Sequence, residues 1–133
     1  MKFFGLLAAF LFPLCAFAQS QGGAQDEEKQ MRKAIDTSIE NLTSLLKLED
    51  WQVFYLDSIM THDYEAMTQE INVLRNAKMS NQDAYISVQD KWSEKMYQAF
   101  RGIFNDEQWA KYLKSGAGRE KKARDKRALK KNN

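Results

Sequence analysis

Between Ala24 and Arg101 this chain contains neither a glycine nor a proline. Those two residues punctuate strands and tight turns, so their absence over such a length argues strongly for helix. The residues that fill it agree: Lys, Glu, Gln, Ala, Leu and Met, all good helix formers, are abundant.

Periodicity divides the segment. Met31, Ile35, Ile39, Leu42 and Leu46 step by fours and a three, which predicts an amphipathic helix over about Asp26 to Lys47. Val53, Leu56, Met60, Tyr64, Met67, Ile71 and Leu74 make a second stripe from Asp50 to about Lys78, a helix of roughly 40 Å at about 1.5 Å per residue. Ser80-Asn81-Gln82-Asp83 reads as a turn and cap, after which Tyr85, Val88, Trp92, Met96, Ala99 and Ile103 continue the pattern. Asn105 is placed to cap a short last helix through Trp109, Tyr112 and Leu113, and Ser115-Gly116-Ala117-Gly118 stops or kinks it. The expectation is an all-α, four-helix protomer whose long second and third helices form an antiparallel helical hairpin. So long a stripe has little in one copy to cover it beyond the first helix, which predicts a thin homodimer.

The amino terminus reads as an export signal over 1–18: Lys2, an apolar run from Phe3 to Phe17, and Ala16-Phe17-Ala18 before Gln19. The run is too short for a membrane span. Cleavage there sends the protein to the periplasm and removes the only cysteine and the only proline. The alternative is a lipoprotein anchored through Cys15, against which Leu14 stands where a small residue is wanted. A flexible leader over 19–25, with Gly22-Gly23, precedes a helical domain over 26–116 and a basic tail over 117–133.

Charge is distributed unevenly. Nine of the 20 Lys and Arg lie from Lys114 onward with only Glu120 and Asp125 opposing them, a net +7, whereas Gln19 to Leu113 holds 10 basic and 16 acidic residues, a net −6. Arg119, Lys121, Lys122, Arg124, Lys126 and Arg127 are the candidate electrostatic residues of that tail. By composition it resembles a nucleic-acid arm; for an exported chain, anionic lipid headgroups or acidic protein segments are the expected partners, and no nucleic acid is expected. The plain alternative is a solubilising tail; in either role it reads as a frayed helix or a disordered segment, and its few apolar residues do not support membrane insertion.

Catalytic chemistry finds little support. His62 is the single histidine, without the cysteines or HxxxH partner of a metal site. Ser58 stands four residues from it, with no glycine-rich elbow to activate it. The acidic clusters Asp26-Glu27-Glu28 and Asp106-Glu107 sit at helix starts, where the helix dipole accounts for them. No phosphate-binding loop is present. No enzyme, cofactor or metal is expected. Binding is the better prospect, since Trp51, Phe54 and Tyr55 make the second helix's first turn apolar nearly all round, as Tyr97 and Phe100 do beside Met96 and Ala99. The methionines add adaptable surface of the kind used by binders of many partners, with core filling as the alternative role. Phe54, Tyr55, Tyr97 and Phe100 are the candidate polypeptide-binding residues.

Two segments echo each other. Leu48-Glu49-Asp50-Trp51-Gln52 and Phe104-Asn105-Asp106-Glu107-Gln108 each read apolar, polar, acidic, variable, Gln, at the start of a helix. The polar residue caps orphan N–H groups, and the glutamine reaches back to the cap's own N–H. In an exported all-helical chain this pair resembles the LTxxQ motifs of the Spy/CpxP family of periplasmic proteins. The motif's Thr is here Glu49 and Asn105, and its Leu is Phe104 in the second copy. The resemblance implies a thin, curved dimer that works without ATP, either as a chaperone for unfolded clients or as a regulator of an envelope-stress sensor. A structural protein adhering to an anionic envelope surface is the third prospect, and rests on the tail alone.

Overall fold

In the computed structural model, which describes residues 23–133, the chain is all-helical. Helix α1 spans Ala24–Leu46, α2 Asp50–Asn76, α3 Gln82–Ile103 and α4 Asp106–Tyr112. These are the four expected helices. The chain then runs through a π-helical turn, Leu113–Ala117, into α5, Gly118–Lys131. The expected export signal, Cys15 and the leader up to Gly22 lie outside the described residues. Of that leader, Ala24 and Gln25 are helical rather than flexible, because Gly23 O accepts the N–H of Asp26 and starts α1 two residues early.

The stripes point inward as their periodicity requires. Ile35, Ile39, Leu42 and Leu46 of α1 meet Leu56, Met60, Tyr64, Met67 and Ile71 of α2, and Trp92, Met96 and Phe100 of α3 close the core. Leu42, Leu56 and Met60 are wholly buried, and each such side chain stabilises the fold by about 1.5–3 kcal/mol. At its end α3 departs from the expected stripe. The buried line continues Met96, Phe100, Phe104 instead of Met96, Ala99, Ile103. Phe100 rests against Phe104 and against Tyr112, a ring that arrives only when α4 folds back.

Helices α2 and α3 lie side by side. Gln52 at the start of α2 reaches the Ile103 carbonyl at the end of α3, and Glu70 pairs with Lys91. Helix α1 is tied to α2 by Arg32, which bonds Asp57 (2.6 Å) and Thr61 (2.9 Å) as well as Asp36 on its own helix. Where α4 ends, Gly116 has φ 125°, a conformation that side chains rarely tolerate, and the axis kinks there. The kink turns α5 back along α3.

Candidate functional site

The echoing motifs meet in space. Both open helices as expected: Asn105 Oδ1 accepts the Gln108 N–H (2.8 Å) while Gln108 Oε1 accepts the Asn105 N–H (3.0 Å), a complete capping box. At the first motif Gln52 Oε1 accepts the Glu49 N–H (2.9 Å), and the Glu49 carboxylate takes the indole N–H of Trp51 (2.7 Å). The glutamines do more than reach back. Gln52 Nε2 donates to Gln108 Oε1 (2.7 Å), and Gln108 Nε2 donates to Gln52 Oε1 (3.1 Å). Their remaining N–H groups go to the carbonyl that ends the helix before the other motif: Gln52 to Ile103 O (3.0 Å), Gln108 to Leu46 O (3.2 Å).

Each amide thus uses both donors and both acceptor positions, and the pair is buried, with Gln52 2% and Gln108 7% exposed. Four chain ends are joined at one point: the last turns of α1 and α3 and the first turns of α2 and α4. A fully satisfied polar pair of this kind sets register in a core that apolar packing alone leaves free to slide. Leu48 packs against the core beside it and Phe104 lies within, while Asp50 and Asp106 place negative charge at helix starts.

An aromatic patch stands on this rigid base. Trp51, Phe54 and Tyr55 are 51%, 69% and 52% exposed, and the Tyr55 ring meets both Trp51 and Phe54 edge to face, with centroids 6.3 and 5.5 Å apart. Of the four residues expected to bind polypeptide, Phe54 and Tyr55 are here, on the surface. The other two are not. Phe100 is 2% exposed and belongs to the core, as described above. Tyr97 is half-buried, its ring set against Trp109 (4.9 Å) with Lys121 and Arg124 over it. Position on α3 put both residues beside a buried stripe, and the returning α4 and α5 covered them.

The basic tail, read from sequence as a frayed helix or a disordered segment, is helical over Gly118–Lys131 and packs against α3. Lys121 bonds Glu94 (2.7 Å), Arg124 lies 3.3 Å from the same carboxylate, and Arg127 makes a two-point pair with Asp90 (2.7 and 2.8 Å). Lys131 reaches Ser87. Burial pushes the Glu94 carboxyl up, but hydrogen bonds from Lys121 and Gln98 and the charge of Lys121 outweigh it and hold it below the usual carboxylate range. Sequence reasoning missed these acceptors. Their signal is Asp90 and Glu94 at i, i+4 on the outward side of α3, opposite cations three apart in the tail.

Between α5 and the α2–α3 layer is a cleft of about 240 Å³ floored by Tyr64, Met67, Met96 and Phe100, with Tyr112 and Arg124 on its walls. Burial raises the Tyr64 hydroxyl well above the ordinary tyrosine value and pushes Tyr112 up to about 12, so both phenols are neutral across the physiological range. His62 is exposed, with Nδ1 2.8 Å from Asp63 Oδ1. Among the described residues no group of three or more His, Cys, Asp or Glu side chains is placed to hold a metal ion, and no helix is long and apolar enough to cross a membrane. The chain matches no protein-family model, no curated protein and no solved structure.

Proposed function

We propose that this is an exported, periplasmic, ATP-independent chaperone-like protein that holds unfolded polypeptide on an exposed aromatic surface. The observation that carries the reading is the patch of Trp51, Phe54 and Tyr55, three large rings left in water on the first turn of α2. Contiguous exposed apolar surface of this kind marks a contact site, and aromatic rings give large contact area at low entropic cost. The glutamine junction beneath holds the patch in place, so a client meets a preformed surface. The two motifs' resemblance to the Spy/CpxP family points the same way, toward a homodimer built on an antiparallel α2–α3 hairpin. Exposed Val73 near the end of α2 and Met79 in the connection to α3 supply further apolar surface for client or dimer contact.

Stopped-flow binding of a permanently unfolded client tests the reading. Phe54→Ser with Tyr55→Ser is expected to speed client release by tenfold or more, on the order of the 1–2 kcal/mol an aromatic contact supplies, and to leave helicity unchanged. Substitution of Lys29 and Lys33, exposed on α1 and away from the patch, is expected to leave release unchanged. Aggregation of two unrelated unfolding proteins is expected to be suppressed near stoichiometric ratios. If the parent binds no unfolded client and suppresses neither aggregation, the chaperone reading fails and a single-partner regulator takes its place.

A further inference from the structure

Helix α5 sorts its cations by face. Lys121, Arg124, Arg127 and Lys131, spaced three, three and four apart, turn toward α3 and spend their hydrogen bonds on Glu94, Asp90 and Ser87. Lys122, Lys126 and Lys130, each four apart, line the opposite side, all exposed. Among the described residues none of these three makes an ion pair or side-chain hydrogen bond. Leu129, 67% exposed, lies in the same stripe between Lys126 and Lys130. At about 1.5 Å per residue the line is roughly 12 Å long and straight. Around α5, the carboxylates Asp90, Glu94 and Asp125 pair with cations of its inner face.

We infer that the outer face of α5, Lys122, Lys126, Leu129 and Lys130, is a docking surface for anionic lipid headgroups at a membrane surface. A straight row of free cations on one side of a rigid helix fits a planar array of phosphates. The exposed leucine within the row adds a small apolar anchor at the headgroup boundary, while the lysine stems lie along it. The acidic remainder of the chain, net −6 from Gln19 to Leu113, is repelled by the same surface. Attachment is therefore confined to α5 and is peripheral, consistent with a described chain that has no membrane-spanning helix. Docking on this face leaves the inner pairs with Asp90 and Glu94 intact.

Co-sedimentation of the mature chain with vesicles tests this. Vesicles of phosphatidylcholine with about one third phosphatidylglycerol are compared with phosphatidylcholine alone, at low and at about 0.15 M ionic strength. The chain is expected to bind the anionic vesicles, more weakly as salt rises, and to ignore the neutral ones. Lys122→Gln with Lys126→Gln is expected to cost about fivefold in affinity per cation, roughly thirtyfold together. The charge-matched pair Lys29→Gln with Lys33→Gln on α1 is expected to cost almost nothing, and Leu129→Ser a smaller factor than the α5 pair. Far-ultraviolet circular dichroism checks that α5 is retained in each variant. The inference is overturned if the parent fails to bind anionic vesicles, if neutral vesicles bind as well, or if the α1 pair weakens binding as much as the α5 pair. Tighter binding to duplex DNA than to vesicles at the same salt also overturns it, since the row would then serve a nucleic acid. Client release from the aromatic patch is read separately, so failure here and failure of the chaperone reading are distinguishable.

Discussion

Replacing Gln108 by alanine removes a side chain that serves four hydrogen bonds at once. It accepts from Asn105 N–H and from Gln52, and it donates to Gln52 and to Leu46 O. The truncation leaves one donor and one acceptor of the buried Gln52 amide without a partner, together with the Leu46 carbonyl and the Asn105 N–H. A net hydrogen bond contributes about 0.5–1.5 kcal/mol, and a buried polar group left unsatisfied costs about 1–3 kcal/mol. Asn105 is exposed, so water replaces the partner of its N–H; the Gln52 amide is 2% exposed and water does not reach it. The expected loss is about 3 kcal/mol, large for one substitution. Gln52→Ala is expected to cost a similar amount by the same accounting with the motifs exchanged. The double variant loses the two shared bonds only once and strands neither amide, so it is expected to cost about 1–2 kcal/mol less than the sum of the singles. Urea unfolding followed by far-ultraviolet circular dichroism, at one protein concentration, supplies all three values. A loss below about 1 kcal/mol for Gln108→Ala, or strict additivity in the double variant, would show that the pair is a surface detail and not the joint between the helices.

Asn105→Ala is expected to cost roughly 1 kcal/mol, the usual value of an N-cap side chain, and to lower the thermal midpoint by several degrees; an unchanged midpoint would remove the cap assignment. Docking of α5 is expected to depend on acid. The Glu94 carboxyl is held below its ordinary range in the folded chain, so its contribution is complete above the unfolded value, about 4.3, and is lost as pH falls through the lowered one. Hydrogen exchange of Gly118–Lys131, corrected for intrinsic rates, is accordingly expected to hold steady between about pH 5 and 8 and to quicken below about pH 4. Glu94→Gln is expected to weaken the packing of α5 on α3 at neutral pH and to reduce the acid step; protection that persists unchanged into strong acid would refute the part given to the Glu94 pairs in holding α5.

Much of the helical skeleton was legible. Ile35, Ile39, Leu42 and Leu46, or Leu56, Met60, Tyr64, Met67 and Ile71, are buried where a 3.6-residue period places them, because a helix reads its own sequence locally. The two motifs were legible as helix starts for the same reason, since an N-cap and its glutamine lie three residues apart. Asn105, Gln108 and Gln52 form the bonds that this local reading assigns them.

What only the tertiary structure decided are the meetings between distant residues. Gln52 and Gln108 stand 56 positions apart, and nothing in either motif states that the two amides share bonds. Phe100 and Tyr97 lie at the end of α3, open to water until α4 folds back and brings Tyr112 onto Phe100, and the kink at Gly116 brings Lys121 and Arg124 over Tyr97. The tail's composition describes a solvated helix or coil. Its order comes from Asp90 and Glu94, two acids on another helix at the spacing its inner cations need. Periodicity specifies which face of a helix turns inward, a property of neighbours along one chain. It carries no information on which two faces pack, because that choice depends on how well distant side chains fill space and satisfy one another once the helices have met.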